Sequence, residues 1–493
     1  MKRKFFLIVI FVLIATTASS QELTLTLPQV IELAKDSSLT AFRYKNMYLA
    51  SYWNFRTFKA NRLPSLSLDL QPVAYNRQLI ARYDSENDID VYRQQKSYSA
   101  SAGLTLTQNF DPLGGTFYIS TSLDYLRGFG DNTFNQYTAV PFIIGYNHNS
   151  FGFNQFKWDR KIEPLKFEKA KQEYLYNTEL IAIQAVQYFF QLALSQAQYE
   201  NAIVQKNKCD SLYLIGQLKY NIASITKSDL MTLQLDVLNA QNSIATAEVA
   251  VRRDMLRLTS FLGLDRNTKL QLVLPEKPPN LAIDFNAAIS MMHNNSYMIL
   301  EKMQSVSEAE MNLDRIRKSN RVSARISASV GYNQEAEELK DAYQNPMRRD
   351  VISVSVSVPL LDWGVRKGQK NQAVNALDIA KIDQAQKMDE LEQNVINSVA
   401  EFNTRFDLLI TAEESLRLAR AVYDQNVLNF QNGSCDITTL SSSQTRLLNA
   451  QNQYITSMRD YWSCYYEIRS QTLYDFISNS PLNIDAAYGD VGF

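Results

Sequence analysis

Side chains that could act together in a reaction are scarce in this chain. Its 493 residues include two histidines, His148 and His293, so neither a histidine-based zinc site nor a Ser-His-Asp triad has the material it needs. No Gly-x-x-x-x-Gly-Lys-Ser/Thr run occurs, and without that phosphate cradle nothing suggests nucleotide hydrolysis. Cys209, Cys435 and Cys464 are an odd number from which no disulfide framework can be read; they read as small apolar helix residues. With 50 Lys and Arg against 51 Asp and Glu, the formal net charge of −1 gives no electrostatic case for nucleic acid. The expectation is a protein that is not an enzyme, holds no cofactor and no metal, and takes any energy it needs from a partner.

What the sequence does arrange is small polar side chains at every second position. Ile352-Ser353-Val354-Ser355-Val356-Ser357-Val358 alternates without a fault. So do Leu66-Ser67-Leu68-Asp69-Leu70, Arg325-Ile326-Ser327-Ala328-Ser329-Val330 and, less cleanly, Val140–Ile144. Such strands present one apolar and one polar face. A half-buried sheet over a soluble core would do the same. The small hydrophilic set Ser67, Asp69, Arg325, Ser327, Ser353 and Ser355 instead suits the wall of a water-filled barrel lumen.

These strands lie inside a duplicated chain. At a constant offset of 210, the stretch 219–242 meets 429–452, sharing Leu230/Leu440, Gln234/Gln444 and the run LNAQN. Apolar residues recur in sevens at Leu230, Val237, Ile244, Val251 and Leu258, and at Leu440, Leu447, Tyr454, Tyr461 and Ile468. Val374, Lys381, Met388, Val395, Phe402, Leu409, Leu416, Tyr423 and Phe430 continue the same spacing, all but Lys381 apolar or aromatic, which marks helices that supercoil against partners. A helix of that span is ~90–100 Å long. Each half therefore holds a long helical hairpin, 160–262 and 364–476. The second hairpin turns at Asn432-Gly433-Ser434, with glycine as a left-handed cap and Asp436 as N-cap. The first turns at Asn221-Ile222-Ala223-Ser224 and lacks the glycine.

Each half opens with a shorter helix, near Pro28 and near Phe285, aligned at an offset of 258. The difference between the two offsets leaves 48 extra residues in the first half. They include another alternating pair, 104–110 and 117–125, in an extra hairpin at 100–127 whose placement alternation leaves open. The expected division is a signal peptide at 1–20, a first repeat at 21–274 with strands in 64–148, and a linker at 275–280. A second repeat follows at 281–478, with strands 322–332 and 350–360, and then a tail at 479–493. Lys2, Arg3 and Lys4 before the apolar run Phe5–Ala15, with Ala18-Ser19-Ser20 beyond it, carry the reading of a cleaved leader. Two core strands from each half make four. Four cannot close a barrel in lipid, where each unpaired backbone group costs several kcal/mol, so several chains must share it.

In this order the residues resemble the outer-membrane efflux protein family, the TolC-like channels, over essentially the whole mature chain. The resemblance rests on the duplicated order helix, strand, strand, long helix, turn, long helix. It also rests on the passages Asn149–Asn154 and Val358–Gly364 and on the repeated Leu-Asn-Ala-Gln. It implies a mainly α fold with β: a homotrimer with a twelve-strand β-barrel shared between protomers in the cell outer membrane, continued by a periplasmic α-barrel of helical hairpins. The implied function is the passive duct of a tripartite efflux or type I secretion system, docked to a periplasmic adaptor (membrane fusion protein) and an inner-membrane transporter. The family's adaptor-docking tip, often Val-Gly-Leu, falls on Ile222, Ala223 and Ser224 and on Asn432, Gly433 and Ser434; only Gly433 matches the central glycine. The pore entrance falls on Asp229 in the first copy. In the second it falls on Thr439 and Ser442, where the TolC channel has paired aspartates, with Cys435 at a position that can be basic.

A soluble periplasmic coiled-coil scaffold or adaptor would also explain the heptads and the leader. It gives no reason for whole-chain duplication.

Overall fold

The computed structural model describes residues 22–84, 86, 88–129, 133–148, 152–320, 323–432 and 434–484. The leader expected at 1–20, Asn149–Phe151 of one strand-to-helix passage, and Gly433 lie outside them. Along the first copy run β1 (Glu22–Thr26), α1 (Leu27–Ser37), α2 (Leu39–Ala60), β2 (Ser65–Asp84), β3 (Ile89–Phe110), β4 (Gly115–Phe129), β5 (Phe134–His148), α3 (Gln155–Asn221) and α4 (Lys227–Phe261). That repeat ends on β6 (Lys269–Val273), and the second copy has α5 (Phe285–Asn295), α6 (Tyr297–Ser319), β7 (Ser323–Ala336), β8 (Met347–Ser357), α7 (Val365–Gln431) and α8 (Ile437–Thr472). Two short strands, β9 (Tyr474–Asp475) and β10 (Ser480–Pro481), pair beyond it.

The offsets hold at element ends. Helices α3 and α7 are both 67 residues long, with starts and ends 210 apart, while α1 and α5 match end for end at 258. Where one short opening helix was expected in each half, there are two. The chain breaks at Ser38 and Ser296, both in extended conformation. Ser38 then restarts the helix, its Oγ accepting from the Ala41 amide at 3.0 Å.

One compact unit comprises Met1–Leu49, Ala170–Tyr297 and Met388–Phe493. Its core is the stripe anticipated from the sevenfold spacing. Val395, Phe402, Leu409, Leu258, Tyr461 and Ile468 are all buried, and the Phe402 and Tyr461 rings sit 5.0 Å apart. A parallel pairing of β1 with β6, not foreseen from sequence, ties the start of the first repeat to the strand just before the linker and adds Leu25 and Leu270 to the core. Beside it lies an ionic cluster: buried Glu179 meets Lys35 at 2.7 Å and Arg469 at 3.0 Å, and Arg469 reaches Asp475 at 3.0 Å. Burial alone would raise the Asp475 carboxyl, but hydrogen bonds from Tyr465 and the Arg469 charge hold it below the ordinary aspartate value.

The other unit, Ala50–Lys169 and Met298–Lys387, is organised by one antiparallel sheet of order β2-β3-β4-β5-β7-β8. The expectation of four strands per chain is thus corrected to six. The extra hairpin is neither an outlying flap nor an end-on extension: β3 and β4 stand between β2 and β5, hydrogen-bonded on both sides. Prolines inside strands fall where the ladder skips: Pro72 lies between the paired residues Gln71 and Ala74, and Pro141 between Ala139 and Phe142. A missing N–H costs nothing at such a bulge. Among the described residues no helix is long and apolar enough to cross a membrane.

Candidate functional site

The registers assign every side chain of the sheet to one of two faces, because neighbours directly across a ladder point the same way. The ladders Leu68↔Leu104, Leu104↔Thr121, Ile119↔Ile144, Ile144↔Val330, Ile326↔Val354 and Ala328↔Ile352 carry one face across all six strands. That face is apolar and open: Leu66, Leu68 and Leu70 are 61–64% exposed, and Val354 and Val356 are about as free. The opposite face carries Ser67, Asp69, Ser101, Thr105, Ser120, Ser122, Arg325, Ser327, Ser353 and Ser355. All six residues expected on a lumen wall therefore share one face, joined by hydroxyl-bearing residues from β3 and β4. Ser327 Oγ donates to Asn147 Oδ1 at 2.7 Å on that face, one polar link between strands of the two copies.

Aromatic rings border the apolar face at two levels, a feature that linear alternation did not reveal. At one level Tyr75 pairs with Tyr98, Tyr98 meets Tyr125 at 6.0 Å, and Tyr125 meets Tyr137 at 4.9 Å. At the other, Phe110, Phe117 and Tyr146 follow at 5.4 and 4.8 Å. On β4 the two rows, Phe117 and Tyr125, are eight residues apart, or about 26 Å along a strand. With strands tilted by about 40° that is a height of about 20 Å, of the order of the roughly 25 Å apolar band between aromatic girdles that a bilayer selects.

The lower turn of the inserted hairpin is fastened. Asp111 pairs with Arg62, Asn154 Nδ2 donates to the Asp111 carbonyl at 2.6 Å, and Asn109 Nδ2 donates to the Asn61 carbonyl at 2.9 Å. Gly114 turns at φ +79°, where a Cβ would lie 2.9 Å from Asn154 Cγ. The β3–β4 turn is thus held at the level where β2 begins and α3 starts.

At the helical turns, the first tip closes without glycine by placing Ala223 at φ +56°, with Ser224 N donating to Lys219 O at 2.8 Å. Isoleucine 222 and Ser224 flank it, both exposed. Asp229 is engaged: its Oδ2 accepts from the Thr226 amide at 2.9 Å and the Thr226 hydroxyl at 2.8 Å, while Thr226 Oγ1 accepts from the Asp229 amide at 3.2 Å. This is a capping box. The backbone and hydroxyl bonds from Thr226 hold the exposed Asp229 carboxyl below its ordinary value. In the second tip Asn432 N donates to Leu428 O, and Ser434 N donates to Asn429 O at 2.9 Å. Asp436 is the N-cap, as its sequence position suggested, accepting from Thr439 N at 2.7 Å, and those bonds lower its carboxyl likewise. Thr439 is therefore the N3 partner of a cap, Ser442 is exposed one turn on, and the Cys435 thiol faces the Asp436 carbonyl at 3.3 Å. Gly216 was missed from sequence: a Cβ there would collide with the Leu233 side chain, so the glycine lets α3 and α4 approach closely near the first tip.

Residues 296–463 match the family model described as outer membrane efflux protein. No curated protein matches the sequence. In fold, the chain is similar to the outer membrane channel CmeC of Campylobacter jejuni, with a TM-score of 0.66 at 12% identity over 94% of this chain and 88% of that one. It is similar also to the outer membrane protein VceC of Vibrio cholerae (0.63, 12%, 93% and 97%) and to the open state of the outer membrane channel MtrE of Neisseria gonorrhoeae (0.60, 12%, 90% and 88%).

Proposed function

We infer that this chain, a member of the outer membrane efflux protein family, is the passive water-filled duct of an export system, seated in the outer membrane and extending into the periplasm. The observation that carries the reading is the two-faced sheet, apolar and ringed by aromatics on one side, hydroxyl-lined on the other. An isolated chain leaves the backbone of β2 and β8 open at the sheet's two edges, and hydrocarbon penalises such edges by several kcal/mol per unpaired group. Three copies pairing edge to edge would remove them, which supports a homotrimeric barrel continued by a helical tube.

The tips Ile222-Ala223-Ser224 and Asn432-Gly433-Ser434 are the surfaces proposed to meet a periplasmic adaptor, and through it an inner-membrane transporter. Asp229, with Cys435, Thr439 and Ser442, is proposed to line the entrance beside them. A water-filled duct discriminates by width and charge, and energy enters from the transporter. A soluble scaffold leaves the broad apolar sheet face without a purpose.

The discriminating experiment is extraction of cell envelopes. The duct stays in the membrane through high salt and carbonate, leaves only in detergent, and runs there as a trimer; release by carbonate, or a folded detergent-free monomer, overturns the reading.

A further inference from the structure

We propose that the inserted β3–β4 hairpin is part of the channel wall, so that three copies close a barrel of eighteen strands, wider than the twelve that four strands per chain would supply. The inference rests on the trimeric duct proposed above and deepens it: the β-domain becomes an open vent for hydrated solutes, and discrimination among them falls to the helical entrance.

Four observations converge on the hairpin. It is bonded on both flanks, β3 to β2 over 18 residue pairs and β4 to β5 over 12, so removing it from the wall would break both ladders and require a new one between β2 and β5. Its side chains obey the same two-faced rule as the other four strands: Leu104, Leu106, Phe117 and Ile119 continue the apolar face, and Thr105, Thr107, Ser120 and Ser122 the hydroxyl face. A flap lying outside the wall has no use for that division. The turn at its foot is locked by Arg62–Asp111 and Asn154 at the level where β2 begins, so the hairpin traverses the sheet rather than perching on its rim.

The fourth observation is direction. With six strands alternating in sense, β2 and β8 run oppositely at the two edges. The β8 of one copy can therefore meet the β2 of the next in the same antiparallel sense as every other junction. Two strands inserted together preserve that rule; one would have broken it. Diameter grows nearly linearly with strand number, so eighteen strands give a barrel about 1.5-fold as wide as twelve, in the range where a barrel encloses an aqueous channel.

The test uses the trimer in lipid nanodiscs, in a background with Cys209, Cys435 and Cys464 replaced by serine. Single cysteines are placed at Thr105→Cys and Ser120→Cys on the hydroxyl face of the hairpin and at Leu104→Cys and Ile119→Cys on its apolar face. Ser353→Cys and Val354→Cys serve as the reference pair on β8. A charged, membrane-impermeant thiol reagent should modify the 105 and 120 variants at least about tenfold faster than the 104 and 119 variants, because the reaction needs a solvated thiolate. Projection images of the unmodified trimer should show the wider barrel. If the 353/354 pair alternates while the hairpin positions react alike, or the barrel has twelve-strand width, the hairpin lies outside the wall and the proposal is wrong. If the reference pair fails to alternate as well, the membrane-duct reading itself falls and takes the proposal with it.

Discussion

Asp229 and Asp436 sit at opposite ends of one duplicated four-residue frame. In the first tip Thr226 is the N-cap and Asp229 the N3 residue; in the second, 210 positions on, Asp436 is the N-cap and Thr439 the N3 residue. Each tip thus keeps one carboxylate and one hydroxyl at a helix start, with the places exchanged. Both carboxylates accept backbone amides where the helix dipole favours negative charge. An acidic group therefore survives in the second copy, three residues before the position where the family resemblance leads one to look for it.

That double duty separates charge from capping. Asp229→Asn keeps an acceptor for Thr226 and should leave the capping box largely intact, whereas Asp229→Ala removes the acceptor and should fray the start of α4. If the carboxylates of three copies gather round the entrance, Asp229→Asn and Asp436→Asn lower cation preference in single-channel recordings without loss of thermal stability. Unchanged reversal potentials in both variants would leave them as caps alone.

Alanine 223 holds a left-handed backbone at φ +56°, a conformation costing an L-residue about 1–2 kcal/mol. Ala223→Gly should therefore raise the unfolding free energy of the first tip by about 1 kcal/mol, read by hydrogen exchange of the Ser224 amide. Gly216→Ala should act oppositely, wedging α3 away from Leu233, and should weaken adaptor crosslinking at the tip while trimer yield stays normal.

The two faces of the sheet should respond differently to one lysine. Leu68→Lys places a charge on the lipid side and should destabilise the folded trimer by about 2–4 kcal/mol if it lies near the bilayer midplane. Ser67→Lys, one residue away, projects into water and should fold normally while shifting conductance toward anions. Equal folding of both variants in lipid would contradict the assignment of faces.

Acid should loosen the helical unit through Asp475. Its carboxyl is held below the ordinary value by Tyr465 and Arg469, so the stability it contributes is fully present above its unfolded pKa, about 3.9, and is lost as pH falls through the folded value. Asp475→Asn should lower the melting temperature at pH 7, where a partner of buried Arg469 goes missing at about 1–3 kcal/mol. The difference from wild type should begin to shrink below about pH 4, where Asp475 of the unfolded chain protonates, and should be gone once the pH has fallen through the lower folded value.

Periodicity and repetition were fixed by the sequence alone. The sevenfold stripe through Val395, Phe402 and Leu409 marked the buried helix face, and the two offsets located α1, α3, α5 and α7 against one another. Alternation marked Ser67, Asp69, Ser353 and Ser355 as one face of strands, since each of these signals depends only on residues near in the chain. Strand order is different. Nothing local says whether β2 pairs with β3 or with β5, because every strand here offers the same alternating pattern, and only the tertiary hydrogen-bond ladders placed the hairpin inside the sheet. The aromatic rows needed the same information: Tyr75, Tyr98, Tyr125 and Tyr137 lie on four strands and become neighbours only when the register is set. Asp229 likewise read as an entrance charge by position, and only folded geometry revealed its bond to Thr226, because a capping box depends on where the helix begins.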